Sequence, residues 1–261
     1  MPQYETLIYT VTENVCTITL NRPEVYNAFN EVMKTEVNDA LKQVEKDNTV
    51  RCIVICGAGD KAFCSGQDLK EHGSSKRSLK ESLEKSYNPM ILKIRSIEKP
   101  IIAMINGVAA GAGCSLALAC DMRFMSSSAK LIEVFIRIGL IPDSGSHWFL
   151  PRLVGMAKAF EYAATGRDIS AEEAERVGLV NKIFPSETLR VETMAFALKL
   201  SQSPTKTIGL IKRTLNKSLM SDLPSLLEYE AIIQQIASET EDHREGVQSF
   251  LEKRPPKFIG K

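Results

Sequence analysis

Alternating apolar and polar positions in the first hundred residues predict a layered structure of strands and helices. Val15–Leu20 alternate with the two-residue period of a strand, which the residues 21–24 (NRPE) end. Apolar residues from 33 to 44 then recur at the spacing of an amphipathic helix. Residues 52–56 and 100–105 are apolar throughout, which is typical of strands buried on both faces. Buried strands that alternate with helices indicate an α/β fold.

The middle of the chain mixes polar and small apolar segments. Residues 72–85 are polar and rich in serine and lysine, which predicts a mobile loop leading into a helix that ends near Ile97. Residues 111–120 are small and apolar, as in a tightly packed buried helix. Residues 122–125 resume strand character, and we expect the sheet to end there.

The last third of the chain has the pattern of a helical region. Ser170 and Glu173 have the spacing of a capping box, and Gly178 ends that helix. Four later segments carry apolar positions at helical spacing, namely residues 187–201, 205–218, 223–238 and 242–252. We expect a core domain over residues 1–200 and a helical region over residues 201–261. The long apolar faces of that region indicate subunit contacts, although core packing explains any single face equally well.

Composition excludes several classes of function. The chain has 33 Lys+Arg and 32 Asp+Glu, so it lacks the excess of positive charge that non-specific binding to nucleic acid or anionic membranes requires. No apolar run is long enough to span a bilayer, and the N-terminus shows no export signal, so we expect a cytoplasmic protein. Six cysteines lie in apolar segments without the spacing of a zinc site, which predicts buried, reduced thiols and no metal.

Four segments, taken in their order along the chain, resemble the enoyl-CoA hydratase/isomerase (crotonase-like) superfamily. They are residues 21–23 (NRP) with 27–28 (NA), residues 61–69 (KAFCSGQDL), residues 106–113 (NGVAAGAG), and residues 139–143 (GLIPD) continuing to 151–152 (PR). One such segment is weak evidence. Four in this order, within the strand and helix pattern already described, extend the resemblance over nearly the whole chain.

The resemblance implies an α/β fold, a crotonase-like spiral of ββα turns with a helical C-terminal trimerisation region. It implies an acyl-CoA thioester as substrate and a homotrimer or a homohexamer, a dimer of trimers, as the assembly. No separate cofactor is implied because coenzyme A is part of the substrate. When a proton leaves the carbon beside the thioester carbonyl, two fixed backbone N–H groups hold the enolate oxygen, forming an oxyanion hole.

By position, the family's two oxyanion donors correspond to the backbone N–H groups of Gln67 and Ala112. The family usually has glycine at the second position, and alanine is a small departure from it. Two glycine turns, each common by itself, are the structural alternative. The resemblance places contacts with the substrate or its CoA part at Ala28, Ala62, Gly66, Asp68, Leu69, Gly111, Trp148, Phe250 and Lys253. Trp148 equally fits a buried core position, and Phe250 and Lys253, which match a CoA contact across a subunit boundary, equally fit a solvated tail.

The two glutamates with which family hydratases add water are absent. Addition of water needs one group that activates the water and another that handles the proton at the neighbouring carbon. Ser115 occupies the first position and Phe135 the second. Neither side chain can transfer a proton at carbon as a carboxylate does.

Asp143 is the candidate acid/base. The isomerase branch of the family, which includes the ring-opening isomerases of phenylacetate breakdown, has aspartate here where hydratases have glycine. One carboxylate suffices to remove a proton from one carbon and return it two carbons away, provided that an apolar pocket raises its pKa. The sequence therefore favours double-bond isomerisation. As an alternative, Asp143 caps a helix or forms a turn after Pro142.

Two other functions stay open at this point. An enoyl-CoA hydratase would need Glu133 or His147 in place of the missing glutamates; Glu133 lies two residues before Phe135, on the same face of a strand. A family member without catalytic activity would bind acyl-CoA and not turn it over, since folds outlast their functions.

Overall fold

The computed structural model of the chain describes residues 2–72 and 77–261. Its strands are β1 (Leu7–Thr12), β2 (Val15–Leu20), β3 (Cys52–Gly57), β4 (Ala62–Cys64), β5 (Ile101–Ile105), β6 (Val108–Ala110), β7 (Met122–Ser126), β8 (Lys130–Ile132), β9 (Asp168–Ser170) and β10 (Lys182–Phe184). Its α-helices are α1 (Glu31–Lys46), α2 (Leu69–His72), α3 (Leu79–Ser82), α4 (Asn88–Ser96), α5 (Ala112–Ala119), α6 (Ser146–Thr165), α7 (Ala171–Arg176), α8 (Ser186–Ser201), α9 (Thr205–Ser218), α10 (Leu223–Ser238) and α11 (Glu241–Glu252). A π-helical segment, Leu83–Tyr87, joins α3 to α4, and two 3-10 helices span Pro23–Val25 and Val134–Ile138.

The strands form two sheets. The larger sheet has the order β1-β2-β3-β5-β7-β10, parallel except for the antiparallel pair β1 and β2. The smaller sheet has the order β4-β6-β8-β9, in which β8 and β9 are antiparallel. Helices cover the large sheet, so every residue of β3 and β5 is buried. The α/β class and the buried central strands are confirmed.

Two predictions about the middle of the chain are wrong. The large sheet does not end at β7, because β10 pairs in parallel with it, with Lys182 opposite Phe124. The segment predicted as a loop over residues 72–85 is helical from Leu79 onward, through α3 and the π-helical segment. Residues 73–76 of that segment lie outside the described residues.

Helix ends confirm the capping signals only in part. The Ser170 hydroxyl accepts a hydrogen bond from the Glu173 N–H and so caps α7, as predicted. The Glu173 carboxylate, however, accepts from Arg167 and from the Tyr162 hydroxyl. Helices α8 to α11 lie within one residue of the four predicted segments.

Close packing of α5 on the small sheet brings together two of the segments that carry the family resemblance, residues 61–69 and 106–113. A Cβ atom added to Gly113 would lie 2.1 Å from the backbone oxygen of Cys64, so only glycine allows α5 to lie this near to β4. Gly107 makes a similar approach to the Lys61 backbone, where an added Cβ would lie 2.5 Å from the oxygen. These contacts set the start of α5 beside the chain that leaves β4.

The C-terminal helices are anchored to the rest of the chain by polar contacts. Lys212 of α9 is buried, and its ammonium group donates to Asp121 Oδ2 at 2.8 Å and to the Ile94 carbonyl at 2.7 Å. Large apolar side chains stay exposed on α9 to α11, among them Ile211, Leu215, Leu223, Leu227, Ile232, Phe250 and Leu251. The assembly as a trimer or hexamer and the domain boundary near residue 200 stay predictions.

Three predictions of the composition concern metals, thiols and membranes. All six cysteines are buried and free, as predicted. Within residues 2–72 and 77–261, no group of three or more His, Cys, Asp or Glu side chains is placed to hold a metal ion. In the same part of the chain, no helix has the length and apolar character needed to cross a membrane.

The contact of α9 with the chain before β5 gives a test of the packing. A Cβ atom at Gly209 would lie 2.5 Å from the Glu98 oxygen, whereas one at Gly246 in α11 meets nothing closer than 3.5 Å. We expect Gly209→Ala to lower the free energy of unfolding by about 1–3 kcal/mol through overpacking. Gly246→Ala, the matched helix-interior control, should leave it equal or raise it by up to about 1 kcal/mol. Denaturant midpoints at one protein concentration measure both, and equal effects would contradict the packing described for α9.

Candidate active site

A cavity of about 360 Å³ lies where β4, α5 and the turn before α6 come together. Most of its wall is apolar, and it includes Leu69, Leu79, Leu83, Val134, Phe135, Ile138 and Leu140. Its polar lining comes from Ser65, Gln67, Ser82, Tyr87 and Asp143, with the backbone of Gly66, Gly111 and Ala112. This site cavity therefore holds the predicted acid/base and both predicted oxyanion donors.

Two glycine turns form one side of the site cavity. Gly66 has φ +97° and Gly111 has φ +53°. Residues with a Cβ atom rarely adopt such positive φ values, whereas glycine adopts them readily. A Cβ atom on Gly66 would lie 2.9 Å from the Ala110 oxygen and 3.4 Å from the Ala112 nitrogen. A Cβ atom on Gly111 would lie 4.0 Å from the Gly66 Cα. The absence of side chains thus allows the two turns to touch.

The backbone N–H groups that follow these glycines are available to a ligand. In the described part of the chain, neither the Gln67 nor the Ala112 N–H donates a hydrogen bond to another residue. Ala112 is the first residue of α5, where N–H groups have no partner inside the helix and the helix dipole is positive. Two free donors beside an apolar cavity can hold an oxygen on which negative charge develops.

The Asp143 carboxyl group is half-buried in the wall of the site cavity. Burial raises its pKa above the ordinary value, while the hydrogen bond from Ser144 Oγ, at 2.8 Å, and the nearby His147 oppose that rise. The α6 N-cap is Gly145, which has no side-chain cap, and the Asp143 backbone carbonyl, not its carboxylate, accepts from the Ser146 N–H. The alternative role of Asp143 as a helix cap therefore has no support in its contacts.

The positions of the missing glutamates hold a hydroxyl and a phenyl ring. Ser115 is fully buried, and its hydroxyl lies 3.0 Å from the Asp143 carbonyl and 3.3 Å from the Gly111 carbonyl. The Phe135 ring forms part of the cavity wall. Glu133 and His147, the groups that a hydratase would need, are not among the lining residues; Glu133 is fully buried and His147 is exposed.

Six of the other predicted contact residues lie in or near the site cavity. Gly66, Leu69 and Gly111 line the site cavity. Ala28 and Ala62 are buried outside its lining, and Asp68 forms an ion pair of 3.1 Å with Arg22. Arg22 also donates to the Ala28 carbonyl at 2.7 Å, and its ion pair with Asp68 joins the first two segments on which the family resemblance rests.

Trp148, Phe250 and Lys253 lie away from the site cavity. Trp148 lines a second cavity of about 600 Å³ with Leu92, and the Arg152 guanidinium lies 3.4 Å above its ring. Phe250 is exposed on α11, and Lys253 ends that helix in the left-handed conformation. One chain thus does not bring these three residues to the site, and the CoA contact across a subunit boundary stays a prediction.

The sequence analysis missed a polar cluster behind Gln67. The buried Lys34 ammonium group donates to Glu31 Oε1, to Ser82 Oγ at 3.0 Å and to Gln67 Oε1 at 3.3 Å. The Tyr87 hydroxyl also donates to Gln67 Oε1, at 2.6 Å. These bonds fix the Gln67 side chain in the wall of the cavity, next to the backbone that carries the Gln67 N–H. In the sequence, a lysine among the apolar positions of α1 was the feature that could have revealed this cluster.

The chain is similar to known proteins in sequence and in fold. A family model described as enoyl-CoA hydratase/isomerase matches residues 10–261. A 1,2-epoxyphenylacetyl-CoA isomerase of Escherichia coli (strain K12) is 41% identical over 98% of this chain and 99% of that protein. A Rhodobacter capsulatus protein that bears the name probable enoyl-CoA hydratase is 42% identical over 99% of each chain. A crystal structure of an enoyl-CoA hydratase from Bacillus anthracis superposes with a TM-score of 0.94 at 32% identity, covering 98% of this chain and 100% of the other.

The raised pKa of Asp143 predicts how its replacement changes stability with pH. The folded state binds the proton of Asp143 more tightly than the unfolded state, so this residue makes the protein less stable as pH rises through the unfolded and then the folded pKa. We expect Asp143→Asn to have a higher thermal midpoint than the wild type at pH 7.5 and to lose that advantage near pH 3.5.

Asp168 is the control of opposite sign. Its hydrogen bond from Lys130 lowers its pKa, so Asp168→Asn should destabilise the protein at pH 7.5 and less at acid pH. Thermal scans of both variants and the wild type across this pH range measure the effects. An Asp143→Asn protein that is less stable at neutral pH would show that the carboxyl is not held in an unfavourable site.

Proposed function

The chain belongs to the enoyl-CoA hydratase/isomerase family, and we propose that it is an acyl-CoA isomerase that shifts a double bond in an enoyl-CoA thioester. The reaction is a 1,3-proton transfer with Asp143 as the single acid/base. One observation carries the proposal: among the described residues that line the site cavity, Asp143 has the only carboxyl group, and it shares this mainly apolar cavity with Gln67 and Ala112.

Each step of the reaction has a matching group. The thioester oxygen accepts hydrogen bonds from the N–H groups of Gln67 and Ala112, which acidify the C2 proton by stabilising the negative charge that its removal creates. The Asp143 carboxylate takes that proton and returns it at C4. Since a base works best when its pKa lies near the working pH, the upward shift at Asp143 favours this role.

The cavity wall argues against addition of water. A hydratase needs a second proton-transferring group, and the two family positions hold Ser115, whose hydroxyl is directed to backbone carbonyls, and Phe135. Relatives named as an isomerase and as a hydratase are about equally similar to this chain, so the proposal depends on the site and not on names.

The substrate is an acyl-CoA whose acyl group is mainly apolar, as the lining side chains indicate. The relative from Escherichia coli acts, by its name, on an epoxyphenylacetyl-CoA, so a ring-derived acyl group belongs among the candidates. Contacts of the CoA part with Ala28, Ala62, Asp68, Phe250 and Lys253 are proposed by position in the family. A homotrimer or homohexamer and a cytoplasmic location are likewise proposals.

A variant of Asp143 tests the proposal directly. We expect Asp143→Asn to lower kcat for conversion of 3-enoyl-CoA to 2-enoyl-CoA by about 10²–10⁴-fold, with KM little changed, because the amide cannot accept the C2 proton. Asp60→Asn, at an exposed loop position, should match the wild type. Chromatography of products made in heavy-oxygen water measures both the isomerisation and any hydration.

The same assay separates the two other functions. Rapid incorporation of heavy oxygen that does not depend on residue 143 would mean that the protein is a hydratase and that the catalytic centre is placed wrongly. Tight binding of acyl-CoA without turnover of either substrate would identify a non-catalytic member of the family.

A further inference from the structure

Glu133 is a buried carboxyl group that the proposed reaction does not use. It is 0% exposed, and its Oε1 accepts hydrogen bonds from Ser146 Oγ at 2.6 Å and from Cys114 Sγ at 3.5 Å. Its Oε2 has no hydrogen-bond partner in the part of the chain that the structure describes. No lysine or arginine of the described residues forms an ion pair with it. A carboxylate buried in this way, without a cation, costs several kcal/mol.

The two donors to Glu133 belong to the two halves of the candidate active site. Cys114 lies on α5, two residues after the oxyanion donor Ala112. Ser146 begins α6, three residues after Asp143, and its N–H donates to the Asp143 carbonyl at 3.0 Å. One carboxyl oxygen therefore ties the helix that supplies an oxyanion donor to the turn that supplies the acid/base.

A second hydrogen-bonded link joins α5 to the same turn. The Ser115 hydroxyl lies within hydrogen-bond distance of the Asp143 and Gly111 carbonyls. Cys114 and Ser115 thus contact the same turn from consecutive positions of α5, one through Glu133 and one directly. Together they link α5, which carries Ala112, to the turn that carries Asp143.

We propose that Glu133 is a positioning residue of the isomerase, a buried carboxyl group that holds the oxyanion donor at Ala112 and the carboxylate of Asp143 at their working separation. This inference rests on the proposed function, because it concerns the same site. Glu133 acts through Cys114 and Ser146 and does not touch the substrate.

The surroundings of Glu133 favour the protonated form. Burial raises its pKa, the hydrogen bonds from Ser146 and Cys114 oppose the rise, and the charge of Asp143 adds to it. Asp143 and the Cys114 thiol are the titratable groups beside it; Arg123 acts on Cys114. A neutral Glu133 keeps Oε1 as the acceptor for both donors and leaves Asp143 as the one negative charge. An ionised Glu133 would place a second negative charge near the enolate and oppose its formation.

Two substitutions separate positioning from a merely structural role. Glu133→Gln keeps an acceptor for both donors and cannot ionise, so we expect kcat within about 3-fold of the wild type at neutral pH, in line with a preserved geometry. Its pH profile should lack the fall that the wild type shows as pH rises through the pKa of Glu133. Glu133→Met has a similar size without an acceptor and should lower kcat by about 10-fold or more, with KM nearly unchanged.

Infrared difference spectra give a readout that does not depend on turnover. The carbonyl band of a protonated, buried carboxylic acid should be present in the wild type and in Asp143→Asn at neutral pH and absent in Glu133→Gln. If Glu133→Met fails to fold, the pH profile of Glu133→Gln and this band still decide the question.

Three results would overturn the proposal: loss of kcat in Glu133→Gln as large as in Glu133→Met, wild-type kcat in a folded Glu133→Met, or absence of the infrared band. Full activity of Asp143→Asn counts against the proposed function alone. The band and the contrast between the two Glu133 variants do not depend on which group moves the proton.

Discussion

The candidate active site depends on contact between two backbone turns that carry no side chains. A Cβ atom on Gly66 would lie 2.9 Å from the Ala110 oxygen and 3.4 Å from the Ala112 nitrogen. Gly113 brings α5 still nearer to β4, where an added Cβ would lie 2.1 Å from the Cys64 oxygen. Because of this contact, two N–H groups from segments far apart in sequence face one small volume. Pockets for acyl groups are common, whereas two fixed donors at one point make such a pocket able to stabilise an enolate.

Burial, more than ion pairing, determines the pKa values of the two carboxyl groups near the Gln67 and Ala112 N–H groups. Asp143 and Glu133 both have raised pKa values, yet only Asp143 faces the site cavity, and Glu133 lies behind the turn that carries it. On the other side, the buried Lys34 holds the Gln67 side chain together with Tyr87. Each proposed oxyanion donor thus has a buried polar group behind it. Lys34 lies behind Gln67, and Glu133 is linked to α5 beside Ala112 through Cys114. These groups keep the donors in place while the cavity itself stays apolar.

The spacing of apolar and polar residues predicted those helices and strands whose structure depends mainly on their own residues. Strands β2, β3 and β5, helices α1 and α5 and the four C-terminal helices follow from period and burial of their own residues. The edge strand β10 was missed because three residues, Lys182–Phe184, carry too little pattern and depend on pairing with β7. The polar side chains of the segment before α4 predict a loop, whereas hydrogen bonds from Lys34 and Asn38 of α1 hold this segment in helical form. Gln67, Ala112 and Asp143 were predicted through the resemblance, whereas Lys34 and Glu133 acquire their roles only from contacts distant in sequence.

In the proposed reaction, one carboxylate carries one proton from C2 to C4 on the same face of the substrate. Isomerisation of 3-enoyl-CoA labelled with deuterium at C2, followed by mass spectrometry of the product's C4 position, tests it most directly. Transfer by Asp143 alone predicts that part of the deuterium appears at C4 of the 2-enoyl-CoA, because a shielded carboxylic acid returns the label before exchanging it with solvent. Rapid formation of a hydroxyacyl product with solvent oxygen, and no deuterium at C4 at early times, would contradict the account.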